Sequence, residues 1–193
     1  MKDLNHPRRN NEISALDLIR RRRSIRRYTS ETVTAEAIRL LLEAAQAAPS
    51  ALNRRPWEFV VVTDAVRRRA LSAIHRWSFM CADAPVVFAV LADAGASVHW
   101  VEDTSAAAEN LLLAAAGLEL GAVWVAIYTQ PEREELVRRL LEIPDRLRVL
   151  CLIPVGHPAE SKEPRSQYDD RKVHRERYGQ PWDEHPGNGR SSP

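Results

Sequence analysis

The chain has 193 residues, of which 45% are hydrophobic and 28% are charged, a balance typical of one globular domain with a substantial core. Its formal net charge is only +2, which excludes a strong attraction of the whole molecule to nucleic acid or to a membrane surface. Basic charge is instead concentrated at residues 20–27, and such local charge suggests a binding site. The two cysteines, Cys81 and Cys151, have neither metal-ligand spacing nor the pattern of a disulfide framework. Cys151 lies in an apolar run, which predicts a buried, reduced thiol.

The expected organisation is a flexible lead at 1–12, a single domain at 13–178 and a flexible tail at 179–193. The lead is polar and basic, without the apolar segment of a secretory signal. The most apolar stretch, 105–127, is interrupted by Glu109, Asn110 and Glu119, which favours a buried helix and strand over a membrane span. We therefore predict a cytoplasmic protein that has no membrane partner.

Capping residues and helical periodicity predict two helices in the first 50 residues. Ser14 is the predicted N-cap of a helix at 14–22, and Asp17, three residues later, completes the pattern of a capping box. Thr34 is the predicted N-cap of a second helix at 35–48.

Four β-branched, nearly uncharged runs predict buried strands, and the segments between them predict helices. In chain order, the predicted elements are a strand at 57–63, a helix at 64–76, a strand at 85–91, a helix at 98–118, a strand at 122–128, a helix at 131–141 and a strand at 148–155. The helix at 98–118 is apolar on nearly every face, so it should lie deep in the core or in an interface. Trp57, Trp77 and Trp124 are predicted core aromatics. Strands interleaved with helices indicate an α+β or α/β layered domain.

The arginines at 20–27 surround Ser24 and allow three interpretations: a solvated helix end, a site for an anion, or a nucleic-acid patch. Aromatic residues that would stack bases are not interleaved with these arginines, which argues against nucleic acid. No glycine-rich phosphate loop occurs in the sequence, so a phosphate would have to be held by side chains. The histidine spacings are not those of a metal site, and no metal is predicted.

Six segments follow one another in the order RRSIRRY at 22–28, APSALN at 48–53, PWEFVVV at 56–62, WVEDTSAA at 100–107, LGAVW at 120–124 and VGHPAESKEPR at 155–165. In this order they resemble those of the flavin-dependent nitroreductase family, and the resemblance runs from about residue 14 to residue 178. The resemblance implies an α+β fold with a mostly antiparallel central sheet flanked by helices. It also implies an intertwined homodimer with an FMN in each of two sites at the subunit interface.

The resemblance further implies which residues bind FMN, with basic side chains at the phosphate and a loop and a strand at the ring. The residues implied at the phosphate and ribityl chain are Arg22, Arg23, Ser24, Lys162 and Arg165. Arg26 would approach the pyrimidine edge of the ring. The residues implied to line the flavin are Pro49, Ser50 and Asn53 from the other subunit, together with Val123, Trp124, Val125 and Ala126.

By the same resemblance, the protein is an oxidoreductase in which NADH or NADPH reduces FMN and leaves. A small electron-poor acceptor, such as a nitroaromatic or a quinone, would then take the electrons in the same pocket. No side-chain acid or base is required, so no catalytic residue is predicted. Two alternatives are an FMN-binding protein that stores or senses the flavin without turnover, and a specialised flavin-fragmenting or dehalogenating relative. A lid insertion would favour the specialised relative, and this compact chain has none.

Two positions depart from the family pattern. Arg55 stands where the family commonly has Gln, in Asn53-Arg54-Arg55-Pro56-Trp57; facing the flavin it would add a cation, and facing solvent it would matter little. Ala126 stands where a Gly commonly occurs, and its methyl group would crowd the ring if the backbone there required a positive φ.

Overall fold

The computed structural model describes residues 14–182, which form a five-stranded antiparallel sheet with helices on both faces, as expected for the predicted α+β fold. The helices are α1 (Ala15–Arg21), α2 (Ala35–Gln46), α3 (Ala65–Ser72), α4 (Trp100–Gly117) and α5 (Pro131–Leu141). The strands are β1 (Trp57–Val62), β2 (Val86–Asp93), β3 (Gly121–Ala122), β4 (Val125–Ala126) and β5 (Leu147–Gly156). Short 3₁₀ turns lie at Ala51–Asn53, Phe79–Cys81 and Asp170–Lys172.

The sheet has the order β1-β2-β5-β3, with β4 also beside β5, and every pair is antiparallel. β2 lies in the interior of the sheet, and its side chains alternate between two cores. Phe88 and Val90 pack with α2 and α4 on one face, whereas Val87 and Ala89 pack with α3 and α5 on the other. This alternation explains why the strand is apolar from Val86 to Ala92, since both of its faces are covered.

The predicted caps of the first two helices are confirmed. The Ser14 hydroxyl accepts a hydrogen bond from the Asp17 backbone N–H at 3.1 Å, and the Thr34 hydroxyl accepts one from the Ala37 N–H at 3.1 Å. Two apolar residues of α1 are nevertheless exposed, Leu16 at 65% and Ile19 at 53%. This face of the helix has no cover within the described chain.

The prediction of one strand at 122–128 is wrong, because the structure divides it into β3 and β4. Both pair with β5 in one continuous register, from Ala122 opposite Val155 to Val125 opposite Leu152, which puts Val123 opposite Pro154. Pro154 has no N–H to donate, so the ladder is interrupted there. The Tyr28 hydroxyl donates to the Pro154 carbonyl at 3.1 Å.

The predicted helix at 64–76 is too long, since α3 ends at Ser72. The Ser78 hydroxyl donates to the Ser72 carbonyl at 3.0 Å and accepts from the His75 N–H at 3.1 Å, which closes a turn after the helix. Trp77 lies on this turn and is 58% exposed under the Arg76 guanidinium, so its prediction as a core residue is wrong. Trp57 is buried as predicted, and Trp124 is half-buried.

α4 lies against both α2 and the sheet, and eight of its residues are buried. The opposite face, which includes Ser105, Glu109 and Leu113, is half-buried. The predicted position of this helix deep in the molecule is therefore confirmed. Within residues 14–182, no helix has the length and apolar character needed to cross a membrane. Cys81 and Cys151 are both buried and unbonded, and burial raises the pKa of the Cys151 thiol well above its usual range.

Candidate functional site

The arginine-rich segment leaves α1 and joins the edge of the sheet. The chain becomes extended at Arg22, and Ser24 forms a parallel bridge with Ala122 on β3. The Ile25 N–H donates to the Ala122 carbonyl at 3.0 Å, and the Ile25 side chain is buried. Gly121 is needed at this contact, because a Cβ there would lie 2.5 Å from Ile25 Cγ2.

The C-terminal segment runs back along the arginine-rich segment in the opposite direction. The Ala159 N–H donates to the Arg27 carbonyl at 2.8 Å, and the Arg165 N–H donates to the Arg20 carbonyl at 3.0 Å. Lys162 reaches across from this segment, and its ammonium donates to the Ser24 carbonyl. Residues that are 138 positions apart in the chain thus meet at one place.

A cleft of about 380 Å³ lies between these two segments, β3 and the last turns of α4. Three of the predicted phosphate ligands, Arg22, Arg23 and Lys162, line it. Arg165 lies one residue beyond the lining residue Pro164, and its side chain is exposed. The structure therefore brings the basic residues predicted from the two ends of the chain to a single cleft.

The cations at this cleft differ in how they are held. The Arg22 Nε lies 3.0 Å from Glu109 Oε1 on α4, an ion pair without hydrogen-bond alignment, so this buried N–H has no aligned acceptor. The Arg23 guanidinium donates to the Glu163 carbonyl. Because a carbonyl partner carries no net charge, Arg23 keeps its positive charge available for an anion, whereas Lys162 also lies 3.3 Å from the Glu160 carboxylate.

Glu160 connects the two segments. Its Oε1 accepts from the Arg26 backbone N–H at 2.6 Å and lies 3.3 Å from the Lys162 ammonium. The hydrogen bond from the Arg26 N–H and that from Lys162 hold the pKa of the Glu160 carboxyl below its usual range. The Arg26 side chain itself is exposed.

The loop that carries Pro49, Ser50 and Asn53 lies on the outside of the described chain. Pro49 and Asn53 are exposed, and Ser50 is half-buried. Leu52, Asn53 and Arg55 have φ values of 51°, 54° and 47°, a backbone region that residues other than glycine rarely adopt. The Ser50 hydroxyl accepts from the Arg55 N–H at 2.9 Å and stabilises the turn.

Asp103 fastens this loop to α4. Its carboxylate is buried and accepts from the Ala51 N–H at 2.8 Å through Oδ1 and from the Ser97 hydroxyl at 2.8 Å through Oδ2. The outer loop is therefore attached at the beginning of α4, whereas Leu112 and Ala116 line the arginine cleft near its end. These positions lie about 13 to 20 Å apart along the helix axis, at a rise of about 1.5 Å per residue.

The segment 123–126 lies beside the arginine cleft, directly after the lining residue Ala122. Val123 and Val125 are buried, Trp124 is half-buried and Ala126 is exposed. The interruption of the ladder at Val123 and Trp124 leaves their backbone groups outside the sheet pairing. Ala126 is paired with Cys151 and does not have a positive φ, so its methyl group strains nothing here.

The sequence reasoning did not identify Asp103, Glu109 or Glu160 as part of this arrangement. Asp103 and Glu109 are carboxylates in a helix rich in alanine and leucine, which is a detectable signal, because a charge in a buried element needs a partner. Glu160 offered no such signal, since it lies in a charged segment and its partner, Arg26, is 134 positions away.

Several known proteins are similar to this chain in sequence and in structure. A model of the nitroreductase family matches residues 19–79 and 75–157. A protein from Methanothermobacter thermautotrophicus with an inferred NADH dehydrogenase/NAD(P)H nitroreductase activity is 38% identical over 170 residues, which cover 86% of this chain and 89% of that protein.

Two further proteins bear on the chemistry. The solved structure of an FMN-dependent nitroreductase from Clostridium difficile superposes with a TM-score of 0.81 at 31% identity, covering 84% of this chain and 99% of that one. An iodotyrosine deiodinase from Thermotoga neapolitana is 29% identical over 171 residues, which cover 76% of this chain and 89% of that protein.

Proposed function

The chain belongs to the nitroreductase family, and we propose that it is an FMN-dependent oxidoreductase that uses NADH or NADPH to reduce a small electron-poor acceptor. A nitroaromatic or a quinone is the expected class of acceptor. The observation that carries the proposal is the convergence of Arg22, Arg23 and Lys162 on one cleft, with Arg165 at its rim. These are side chains suited to a phosphate, in a chain without a glycine-rich phosphate loop.

The residues of the cleft fit the phosphate end of FMN. Arg22 has a buried Nε–H without an aligned acceptor, which a phosphate oxygen would satisfy. Arg23 adds a cation whose present partner is a neutral carbonyl group, and Lys162 adds a second cation, which contacts the Ser24 carbonyl and the Glu160 carboxylate. Ser24 is half-buried beside them and offers a hydroxyl donor.

Bound FMN supplies the hydride and electron transfer, and the protein supplies binding, orientation and electrostatics. We propose that Val123, Trp124, Val125 and Ala126 lie along the ring, where backbone N–H groups outside the sheet ladder are free to donate to it. Arg26 would place positive charge at the pyrimidine edge, where it favours negative charge on the ring.

A complete site requires a second copy of the chain in this proposal. Pro49, Ser50 and Asn53 are attached to the beginning of α4, about 13 to 20 Å along that helix from the arginine cleft, and in this proposal they line the flavin of the partner subunit. Leu16 and Ile19 of α1 are apolar and exposed, which supports a partner subunit that covers this face of the helix. The proposed homodimer would thus contain two FMN sites, each with residues from both subunits.

The nicotinamide and the acceptor would use the same pocket in turn, which is a ping-pong order. The test is the visible spectrum of the purified protein, recorded again after anaerobic addition of NADH or NADPH and then of a quinone or nitroaromatic. Flavin bands that bleach with the nucleotide and return with the acceptor are the expected result. A colourless protein that fails to take up added FMN, or a flavin that no reduced nicotinamide bleaches, would contradict the proposal; the second outcome would instead support flavin storage or sensing.

The similarity to an iodotyrosine deiodinase favours one alternative, reductive dehalogenation in the same flavin site. Iodotyrosine offered as the acceptor to the reduced protein distinguishes the two. Release of iodide faster than reduction of a quinone would favour the dehalogenating function.

A further inference from the structure

A second polar cavity, of about 610 Å³, lies next to the outer loop. It is bounded by the end of α2, the residues that follow the loop and the first half of β1. The lining residues are Leu42, Gln46, Arg54, Arg55, Trp57, Glu58 and Phe59.

The charge of this cavity is positive and uncompensated. Among the described residues, neither the Arg54 nor the Arg55 guanidinium has a hydrogen bond or an ion pair. The one carboxylate of the lining, Glu58, is already paired with Arg146, whose Nη2 lies 2.9 Å from Glu58 Oε1. Two free guanidinium groups at one cavity form a receptor for an anion with several oxygens.

The backbone that carries the two arginines is fixed at both ends. The Arg54 N–H donates to the Ala51 carbonyl at 3.0 Å, the Arg55 N–H donates to the Ser50 hydroxyl at 2.9 Å, and Pro56 is buried directly afterwards. Arg55 is held at a φ of 47°, an uncommon conformation that persists only where the surroundings impose it. The two side chains therefore start from defined positions although both are exposed.

We propose that Arg54 and Arg55 bind the phosphate groups of the reduced nicotinamide dinucleotide while its nicotinamide ring faces the flavin. This inference rests on the proposed function, in which Ser50 and Asn53 of the same loop line the flavin. The pyrophosphate is common to NADH and NADPH, and the additional 2′-phosphate of NADPH offers a second dianionic group. The guanidinium group of an arginine matches both phosphate groups in geometry and in charge.

The test is anaerobic stopped-flow reduction of the FMN-loaded protein by NADH and by NADPH, in the wild type and in Arg54→Gln, Arg55→Gln and the double variant. Each substitution should raise the half-saturating nucleotide concentration about tenfold while the limiting rate of flavin bleaching stays unchanged, because a charge-assisted contact is lost from binding only. An effect on both nucleotides assigns the pyrophosphate, and an effect on NADPH alone assigns the 2′-phosphate. Higher ionic strength should raise the wild-type half-saturating concentration in the same direction.

Arg67→Gln is the matched control, since Arg67 is an exposed arginine beside the far end of β1 and its loss should change neither parameter. Unchanged half-saturating concentrations in the double variant would overturn the inference, as would a lower limiting rate alone, or an effect confined to reoxidation by the acceptor. Each of these results leaves the proposed function intact. If the wild type holds no flavin or is not reduced by either nucleotide, both proposals fail together.

Discussion

Replacing Asp103 by alanine should loosen the outer loop from α4 and destabilise the protein. The carboxylate is 6% exposed and makes two hydrogen bonds of 2.8 Å, one from the Ala51 N–H and one from the Ser97 hydroxyl. Both donors lie outside the helix, so the residue connects two loops through one side chain. Alanine would remove both bonds and leave the two donors without their acceptor.

The expected size of the effect follows from these contacts. A hydrogen bond to a charged group contributes about 1.5 to 3 kcal/mol, and water can replace part of it for Ala51, which is half-buried. Asp103 also lies in the first turn of α4, where a negative charge contributes about 0.3 to 1 kcal/mol through the helix dipole. We therefore expect the free energy of unfolding to fall by about 3 kcal/mol. For a chain of this size, this loss corresponds to a decrease of roughly 6 to 12 °C in melting temperature.

Thermal and urea unfolding of the flavin-free protein would measure this loss, at one protein concentration because association changes the apparent stability. Asp103→Asn is the matched control, since its amide oxygen can still accept from the Ala51 N–H and its amide group can donate to the Ser97 hydroxyl oxygen. Asparagine should therefore destabilise by only about 1 kcal/mol, and Ser97→Ala by an intermediate amount. If Asp103→Ala were as stable as the asparagine variant, the hydrogen bonds of this carboxylate would not be what holds the loop to α4.

Three further predictions concern the arginine cleft. The combined Arg22→Ala and Arg165→Ala protein should stay folded yet lose its flavin on gel filtration, because each substitution removes a phosphate contact of about 1.5 to 3 kcal/mol; full retention of FMN would contradict the proposed clamp. Gly121→Ala should destabilise the protein by about 1 to 3 kcal/mol and raise the dissociation constant of FMN, since the new Cβ would lie 2.5 Å from Ile25 Cγ2; an unchanged melting temperature would contradict the packing argument. Folding lowers the pKa of Glu160, so the ionised carboxylate stabilises the protein fully above the ordinary carboxyl pKa of 4.5. This stabilisation is lost as the pH falls below that value. Glu160→Gln should therefore remove part of the decrease in stability at acid pH and change little else in the pH profile of stability.

Local signals in the sequence were sufficient for most of the fold. The caps at Ser14 and Thr34 and the apolar run of strand β2 depend on neighbouring residues, and the structure has them as predicted. The division of the predicted strand at 122–128 depends instead on Pro154, a residue on another strand, whose effect appears only once the register with β5 is known. Trp77 shows the same limitation, because a turn closed by Ser78 decides that it faces solvent.

Local signals in the sequence likewise predict some residues of the candidate site and miss others. Arg22, Arg23 and Lys162 are visible in the sequence as basic residues, and the structure brings them to one cleft. The residues that hold them, Glu109 and Glu160, become visible only through contacts between distant parts of the chain.

The length of α4 is the feature that connects the fold to the proposed dimer. The outer loop is attached to its first turn through Asp103, and the arginine cleft lies against its last turns, near Ala116. A straight helix keeps these two ends about 20 Å apart within one protomer. Two copies packed with their α4 helices antiparallel would set the first turn of each helix beside the last turns of the other. The outer loop of one subunit would then lie beside the arginine cleft of the other, and two equivalent sites would follow from the symmetry of the dimer.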